Sequence, residues 1–393
     1  MPNVYLDYNA TTPVEPAVME AMLPWFTDQF WNAASAHGAG VTARGAIETA
    51  RSQVAELINA GPRELVLTSG STEANNLAIK GVAGRARGQR DTVLVAATEH
   101  KAVLDSADWL AVQGIRVEKI PVGCDGALDV AHLTSLLSDR VLLVSIMLAN
   151  NETGIIQPLK LVSELAHRFG ALVHTDATQA VGKINVDVQD LNVDMLSLSA
   201  HKFYGPKGVG ALFVRRGIDL EAQLHGGGHE SGHRSGTLNV PGVVGMGAAA
   251  QLAGESIDRD AASAHALTTK LIEGLRGRLD RVEWIGQGPA CLPNTVSLRF
   301  VGADAEAVMA NAPSVFVSSG SACSSRIPEP SYVLIAMGLS QDEAYECLRF
   351  SVGRHTTGDE IAAAVVSIAE AVDRVRGLAS TEHYADQTEG AIR

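Results

Sequence analysis

Cysteine is scarce: the 393-residue chain has four, Cys124, Cys291, Cys323 and Cys347, scattered and never in a CxxC pair. That excludes a disulfide framework and a paired zinc site, and it points to a reducing compartment where any reactive cysteine acts alone. Basic charge is also short. With 31 Lys and Arg against 44 Asp and Glu the formal net charge is −13, so no broad basic surface exists to neutralise phosphates, which argues against direct nucleic-acid binding. Long apolar runs are missing: VLLVSIMLA from Val141 is only strand-sized, far short of a membrane span. The opening MPNVYLDYNATTPVEPAVME holds neither Lys nor Arg and no apolar stretch, so no secretory leader is expected. The expectation is a soluble cytoplasmic protein with no membrane contact.

What is present is ordinary globular composition, 46% hydrophobic and 19% charged, enough for roughly two domains. Short apolar runs alternate with amphipathic stretches: ELVLT from Glu64, TVLVAA from Thr92, VLLVSIM from Val141, ALVHT from Ala171, DMLSLS from Asp194 and GALFVR from Gly210. Most intervals are long enough for a crossover helix, as in VSELAHRFG from Val162. This alternation predicts an α/β fold with a mainly parallel sheet buried on both faces. Ligands in such folds sit at the carboxyl ends of the strands. After about residue 240 the alternation fades into an Ala-rich helical stretch and then NTVSLRF and LRFSVGR, which predicts a second, α+β domain beginning near residue 255. The last residues, from Ser380, lack apolar periodicity and are expected to form a loosely held tail.

Three strand ends carry chemistry. Ser69-Gly70-Ser71-Thr72-Glu73 follows ELVLT and opens onto a helix-compatible run, whose free backbone N–H groups would cradle a phosphate. Taken alone, the junction is better explained by helix capping. His174-Thr175-Asp176 puts a carboxylate at the end of a buried strand, where it is costly unless paired with a cation. Ser199-Ala200-His201-Lys202 ends the next strand with an amine that desolvation would make reactive. A lone Lys is usually a solvated surface charge, but in this order the three supply what pyridoxal phosphate requires: an anchor, a partner for the pyridine nitrogen and an imine-forming amine.

With these segments the chain resembles the cysteine desulfurases of the aminotransferase-like pyridoxal phosphate fold, most closely the housekeeping iron–sulfur-cluster type. The likeness runs from YLDYNATTP at Tyr5 through TEHKAVLD at Thr98, ANNETGIIQP at Ala149, DATQ at Asp176, SAHKFYGPKG at Ser199, HGGGHESGHRSGT at His225 and SSGSACSS at Ser318 to LRFSVGR at Leu348. It implies fold type I: a large cofactor-binding domain over residues 15–255 with a mainly parallel seven-stranded sheet, and a smaller domain from 1–14 and 256–393 carrying a mobile loop at about 318–330. It also implies a homodimer. By the same resemblance Lys202 would hold the cofactor covalently, Asp176 would pair with its pyridine nitrogen, Gln179 would contact its phenolic oxygen, and His100 would stack on the ring and move protons. Ser71, Thr72, Ser199 and His201 would hold the phosphate, joined by Thr237 from a second subunit. Asn151 would contact cofactor and substrate, Arg349 would grip the carboxylate of L-cysteine with a planar fork that Lys cannot reproduce, and Asn32 would also face the substrate.

Cys323 lies among Ser, Gly and Ala, a composition that packs poorly, and the resemblance makes it the nucleophile that takes the sulfur as a persulfide for an acceptor protein. A buried, inert site suits Cys347, Cys291 and Cys124 better. His225, His229 and His233 have the spacing of a helical metal site, but the run Gly226-Gly227-Gly228 denies them a helix, so no metal is expected. Two departures stand out. The segment Phe30-Trp31-Asn32-Ala33 lacks the proline common in relatives, and the C-terminal segment differs from the one through which the housekeeping type engages its scaffold. The rival functions are a selenocysteine lyase, which needs no protein nucleophile, and a non-catalytic scaffold of a sulfur-transfer complex, which has no use for Lys202, Asp176, His100, Cys323 and Arg349 together.

Overall fold

The computed structural model describes residues 3–86, 90–320 and 329–389, with side chains as far as residue 378. The chain opens with β1 (Val4–Tyr5) and then builds one sheet from β2 (Leu65–Thr68), β3 (Thr92–Ala96), β4 (Arg116–Ile120), β5 (Val141–Ser145), β6 (Leu172–Asp176), β7 (Met195–Ser199) and β8 (Gly210–Val214). Their order is β2-β8-β7-β6-β5-β3-β4. The β3, β5, β7 and β8 residues are all buried, as continuous apolar runs covered on both faces must be. Only β8 runs against its neighbours β2 and β7; the other pairings are parallel. The carboxyl ends of six strands therefore share one edge. This is the mainly parallel seven-stranded sheet of fold type I.

A second core gathers Val4, Leu6, Phe300, Leu348, Phe350 and Ile368. It covers a three-stranded antiparallel sheet of β9 (Val282–Ile285), β10 (Thr295–Phe300) and, beyond β11 (Val315–Phe316), β12 (Cys347–Ser351), in the order β12-β10-β9. The short β11 pairs in parallel with β1, which ties the amino-terminal residues to this core. One 37-residue helix, Val240–Arg276, serves both cores: Met246 and Ala250 belong to the core of the large sheet, Leu271 and Leu275 to that of the small one. The change of character near residue 255 thus falls inside a continuous helix, which explains why no Pro- or Ser-rich linker marks it. The helix Gly358–Glu389 continues into the carboxyl-terminal segment. From Ala379 to Glu389 there is no Gly or Pro, so a helix already nucleated upstream has nothing local to stop it.

Candidate active site

The sequence breaks out of each parallel strand into a turn carrying polar groups, and the topology collects those turns. After β2 the backbone reverses at Gly70, whose φ of +150° and ψ of −179° are open only to glycine. That turn starts the helix Ser71–Arg85 with its N–H groups free of side-chain caps. A cleft of about 370 Å³ lies over them, lined by Ser71, Thr72, Ser199, His201 and Lys207 among others. Burial and the neighbouring Lys202 cation push the His201 imidazole down to about 4, so the ring is neutral. Its Nδ1 meets Thr11 Oγ1 at 3.1 Å. The uncharged hydroxyls of Ser71, Thr72 and Ser199, a neutral imidazole, the helix N–H groups and a nearby Lys207 make a cradle for a phosphate dianion.

Lys202 ends the turn Ala200–Lys202 after β7, and its Nζ donates to the carbonyl oxygens of Asn9 at 2.6 Å and Ala10 at 2.9 Å. Burial, aided by the Arg349 cation and opposed by Asp176 and Asp7, pushes its amine down to about 8. A far larger share is therefore unprotonated near neutral pH than for an ordinary lysine. Asp176, at the end of β6, is 5% exposed. It accepts hydrogen bonds from Asn75 Nδ2 at 2.7 Å and the Thr178 N–H at 3.0 Å. Among the described residues no cation forms a salt bridge with it. Gln179 donates from Nε2 to Asn9 O at 2.9 Å and accepts at Oε1 from Lys183 Nζ at 2.6 Å.

His100 caps the helix Lys101–Val112: its Nδ1 accepts from the Ala102 N–H at 3.1 Å, so the neutral ring carries its proton on Nε2. The ring is exposed at the cleft edge of β3. Arg349, on β12, donates from Nη1 to Asn151 O at 3.0 Å and from Nη2 to Asp7 Oδ1 at 2.6 Å. Its Nε, like Asn151 Oδ1 and Thr178 Oγ1, is buried without a hydrogen-bond partner among the described residues. Buried orphans are rare in proteins, and these three lie on residues of one site.

These observations fit pyridoxal phosphate. Asp176 lacks the cation that a protonated pyridine nitrogen supplies, the amine that must form an imine is already depressed, and the phosphate has its N–H-lined cleft. A half-buried lysine and a buried aspartate at the ends of adjacent strands, beside a phosphate cradle, define a fold type I pyridoxal phosphate enzyme.

Two of the residues expected here are not brought to the cleft by this chain. Asn32 is exposed and lines a separate cavity of about 580 Å³ beside Arg51 and Glu230. Thr237 is exposed next to Leu238, which lines that same cavity. Cys323 and most of the 318–330 loop lie outside the described residues, although the approach to them is fixed. Ser318 and Arg349 exchange backbone hydrogen bonds, with Arg349 N–H donating at 2.7 Å, and Gly320 packs against the Glu152 carboxyl. Burial pushes the Cys347 thiol up to about 12 and raises Cys291, whereas Cys124, grouped with them from sequence, is exposed. The glycine-rich His segment holds Glu230, which pairs with Arg51 at 2.8 Å. Among the described residues no cluster of three or more His, Cys, Asp or Glu could hold a metal ion.

Sequence reasoning missed Asn9, Lys183 and Glu152. Asn9 takes both Lys202 and Gln179 on its carbonyl and Lys183 on its side chain. Burial raises the Glu152 carboxyl to about 7, and Ser331 donates to it. The available signals were thin: Asn9 stands in YLDYNATTP, and Lys183 is four residues after Gln179.

Known proteins agree with this architecture. The aminotransferase class-V family model matches residues 4–363. A cysteine desulfurase IscS of Anaeromyxobacter dehalogenans (strain 2CP-C) is 47% identical over 378 residues, covering 95% of this chain and 94% of the relative. Among solved structures, a NifS-like protein superposes with a TM-score of 0.88 at 36% identity, over 94% of this chain and 99% of that one. SspA in complex with cysteine gives 0.81 at 34% identity, over 90% and 100%. The chain belongs to the aminotransferase class-V family and, within it, to the pyridoxal phosphate-dependent cysteine desulfurases.

Proposed function

We propose that the cleft takes L-cysteine, releases L-alanine and leaves the sulfur as a persulfide on Cys323 for an acceptor protein of iron–sulfur cluster assembly or thiolation. The reaction balances as L-cysteine plus the Cys323 thiol giving L-alanine plus the Cys323 persulfide. Pyridoxal phosphate, when bound, supplies an electron sink for charge developing at the substrate Cα. Lys202 would hold the cofactor and, with its amine free, would move the proton at the substrate Cα. Asp176 would be the counter-charge for the pyridine nitrogen, Gln179 would offer its amide to the phenolic oxygen, and Ser71, Thr72, Ser199 and His201 would hold the phosphate. His100 carries a proton on Nε2 at the cleft edge. Arg349 would hold the substrate carboxylate, its Nε now left without a partner, and Asn151, whose Oδ1 is a free acceptor, would contact cofactor and substrate. Attack by the Cys323 thiolate on the substrate sulfur needs that thiol ionised.

The observation that carries the reading is the Lys202 amine, depressed to about 8 at a strand end beside the buried Asp176. Lys202→Ala is expected to lose the visible absorption of the bound cofactor and the formation of alanine while keeping the fold. Alanine formation near the wild-type rate in that variant would overturn it.

We further infer a homodimer in which Thr237 and Asn32 serve the partner's cleft. Both are exposed beside one cavity, away from their own Lys202, which is where residues destined for a neighbouring site would stand. Residues 15–255 form the cofactor domain in this reading, and 1–14 with 256–393 the small domain, supported by the distinct clusters around Leu196 and around Phe300. A cytoplasmic setting accords with the unpaired cysteines. Among the described residues no helix is long and apolar enough to cross a membrane.

A further inference from the structure

We propose that Glu152 is a positioning residue for the transfer of sulfur to Cys323: its buried carboxyl holds together Gly320 and Ser331, the two fixed points between which the chain carries that cysteine. The proposal rests on the assignment of Cys323 as the sulfur carrier.

Glu152 lies in the turn beyond β5, next to Asn151, and is 3% exposed. Asn150 Oδ1 accepts from the Glu152 N–H at 2.8 Å and the Thr153 N–H at 3.0 Å, which fixes the backbone of that turn. Two segments distant in sequence converge on the carboxyl. Ser331 Oγ donates to Glu152 Oε2 and accepts from the Leu334 N–H at 3.2 Å, so the same hydroxyl caps the helix Tyr332–Ala336. Gly320 lies against the same carboxyl oxygen: at its φ of +76°, a methyl group added there would stand 2.9 Å from Glu152 Oε2 and 3.8 Å from Ser331 Cβ.

Both points are tied to the cleft. Ser318 exchanges backbone hydrogen bonds with Arg349, and the Tyr332 hydroxyl donates to the Glu99 carbonyl at 2.7 Å, next to His100. Cys323 stands three residues after Gly320. Three residues of chain reach at most roughly 11 Å. Holding Gly320 therefore bounds the volume open to the Cys323 thiol around the Arg349 end of the cleft, which raises its effective concentration at the substrate sulfur. Burial raises the Glu152 carboxyl to about 7, opposed by the Ser331 hydrogen bond and by the Arg349 cation from β12. Near neutral pH its uncharged form is well populated, and the carbonyl oxygen of that form accepts from Ser331 as a glutamine amide oxygen would. Glutamine in its place keeps the tie and removes the charge, whereas methionine removes both.

The test uses the cofactor-loaded protein and its Glu152→Gln, Glu152→Met and Ser331→Ala variants, each given one equivalent of L-cysteine. Two rates are read on the same sample: the visible spectral change as the substrate meets the cofactor, and the gain of one sulfur atom in intact mass, placed on a cysteine by peptide mapping. The inference expects the spectral change to keep its rate in all three variants. Sulfur gain should slow about tenfold in Glu152→Met and in Ser331→Ala, the upper end for one hydrogen bond, while Glu152→Gln recovers most of the wild-type rate. Sulfur gain at the wild-type rate in Glu152→Met, or in Ser331→Ala should the Met variant fail to fold, would overturn the role of Glu152. Equal slowing of both signals would overturn it too, as the mark of a general structural defect, and so would a Gln variant as slow as Met, which would assign the effect to the charge facing Arg349. Wild-type sulfur mapped to any cysteine but Cys323 would instead overturn the assignment on which the proposal rests.

Discussion

Lys202 and Arg349 carry the most testable consequences at the scale of single residues. The Lys202 amine sits at about 8 because burial and Arg349 oppose its charge. Labelling of Lys202 in the apoprotein by an amine-reactive reagent should therefore climb as pH passes through about 8, not near the 10.5 of an ordinary lysine. The same depression is a stability cost. Between about 8 and 10.5 the unfolded chain binds the proton that the folded chain has lost, so the contribution of this group to stability rises with pH across that window. Lys202→Met apoprotein should melt above wild type at pH 7 and lose the advantage as pH approaches 10.5; an equal melting temperature at both pH values would contradict the burial argument. Arg349→Lys loses the planar fork while keeping the charge. It should raise KM for L-cysteine about 10- to 100-fold, the range for one charged hydrogen bond, with cofactor absorption unchanged. Lys202 and Asp176 were legible in the sequence because a polar residue ending an apolar strand is a local pattern. Asn9 and Lys183 were not, since they meet across 174 residues and only the folded chain joins them.

Among the elements, the turn from β2 into the helix Ser71–Arg85 is the one whose geometry the site depends on. A methyl group at Gly70 would fit 3.6 Å from Ser199 Oγ, so the objection to alanine there is backbone strain, not lack of room. Gly70→Ala should cost about 1–3 kcal/mol in stability and, by tilting the helix N–H groups, weaken cofactor binding. Chemical denaturation and cofactor titration would show both, and unchanged affinity would remove the helix terminus from the phosphate site. Six of the seven strands of the large sheet were visible in sequence as apolar runs. The one missed, β4, is an edge strand paired with β3; its RVEKI buries only Ile120 and carries three charges, so it has no continuous apolar signal. The long helix was legible as Ala-rich sequence. Its passage from one core to the other was not, because nothing local distinguishes its two halves.

On the scale of the whole molecule, the cleft draws its parts from both cores. Asp7 and Asn9 come from the amino terminus, Lys202 and Asp176 from the large sheet, and Arg349 from the small one. The proposed second subunit adds Thr237. Lys202→Ala and Thr237→Ala chains, each impaired alone, should regain activity when mixed and refolded together, because a heterodimer keeps one site with both residues intact. No gain on mixing, or full activity of a monomer, would contradict shared sites. The central claim is that sulfur leaves L-cysteine for Cys323, and intact-mass measurement after adding one equivalent of L-cysteine tests it most directly. Wild type should gain the mass of one sulfur atom, lost on reduction, while Cys323→Ser should bind cofactor and substrate yet gain none. An equal gain in Cys323→Ser would move the sulfur to Cys124, Cys291 or Cys347 and contradict the account.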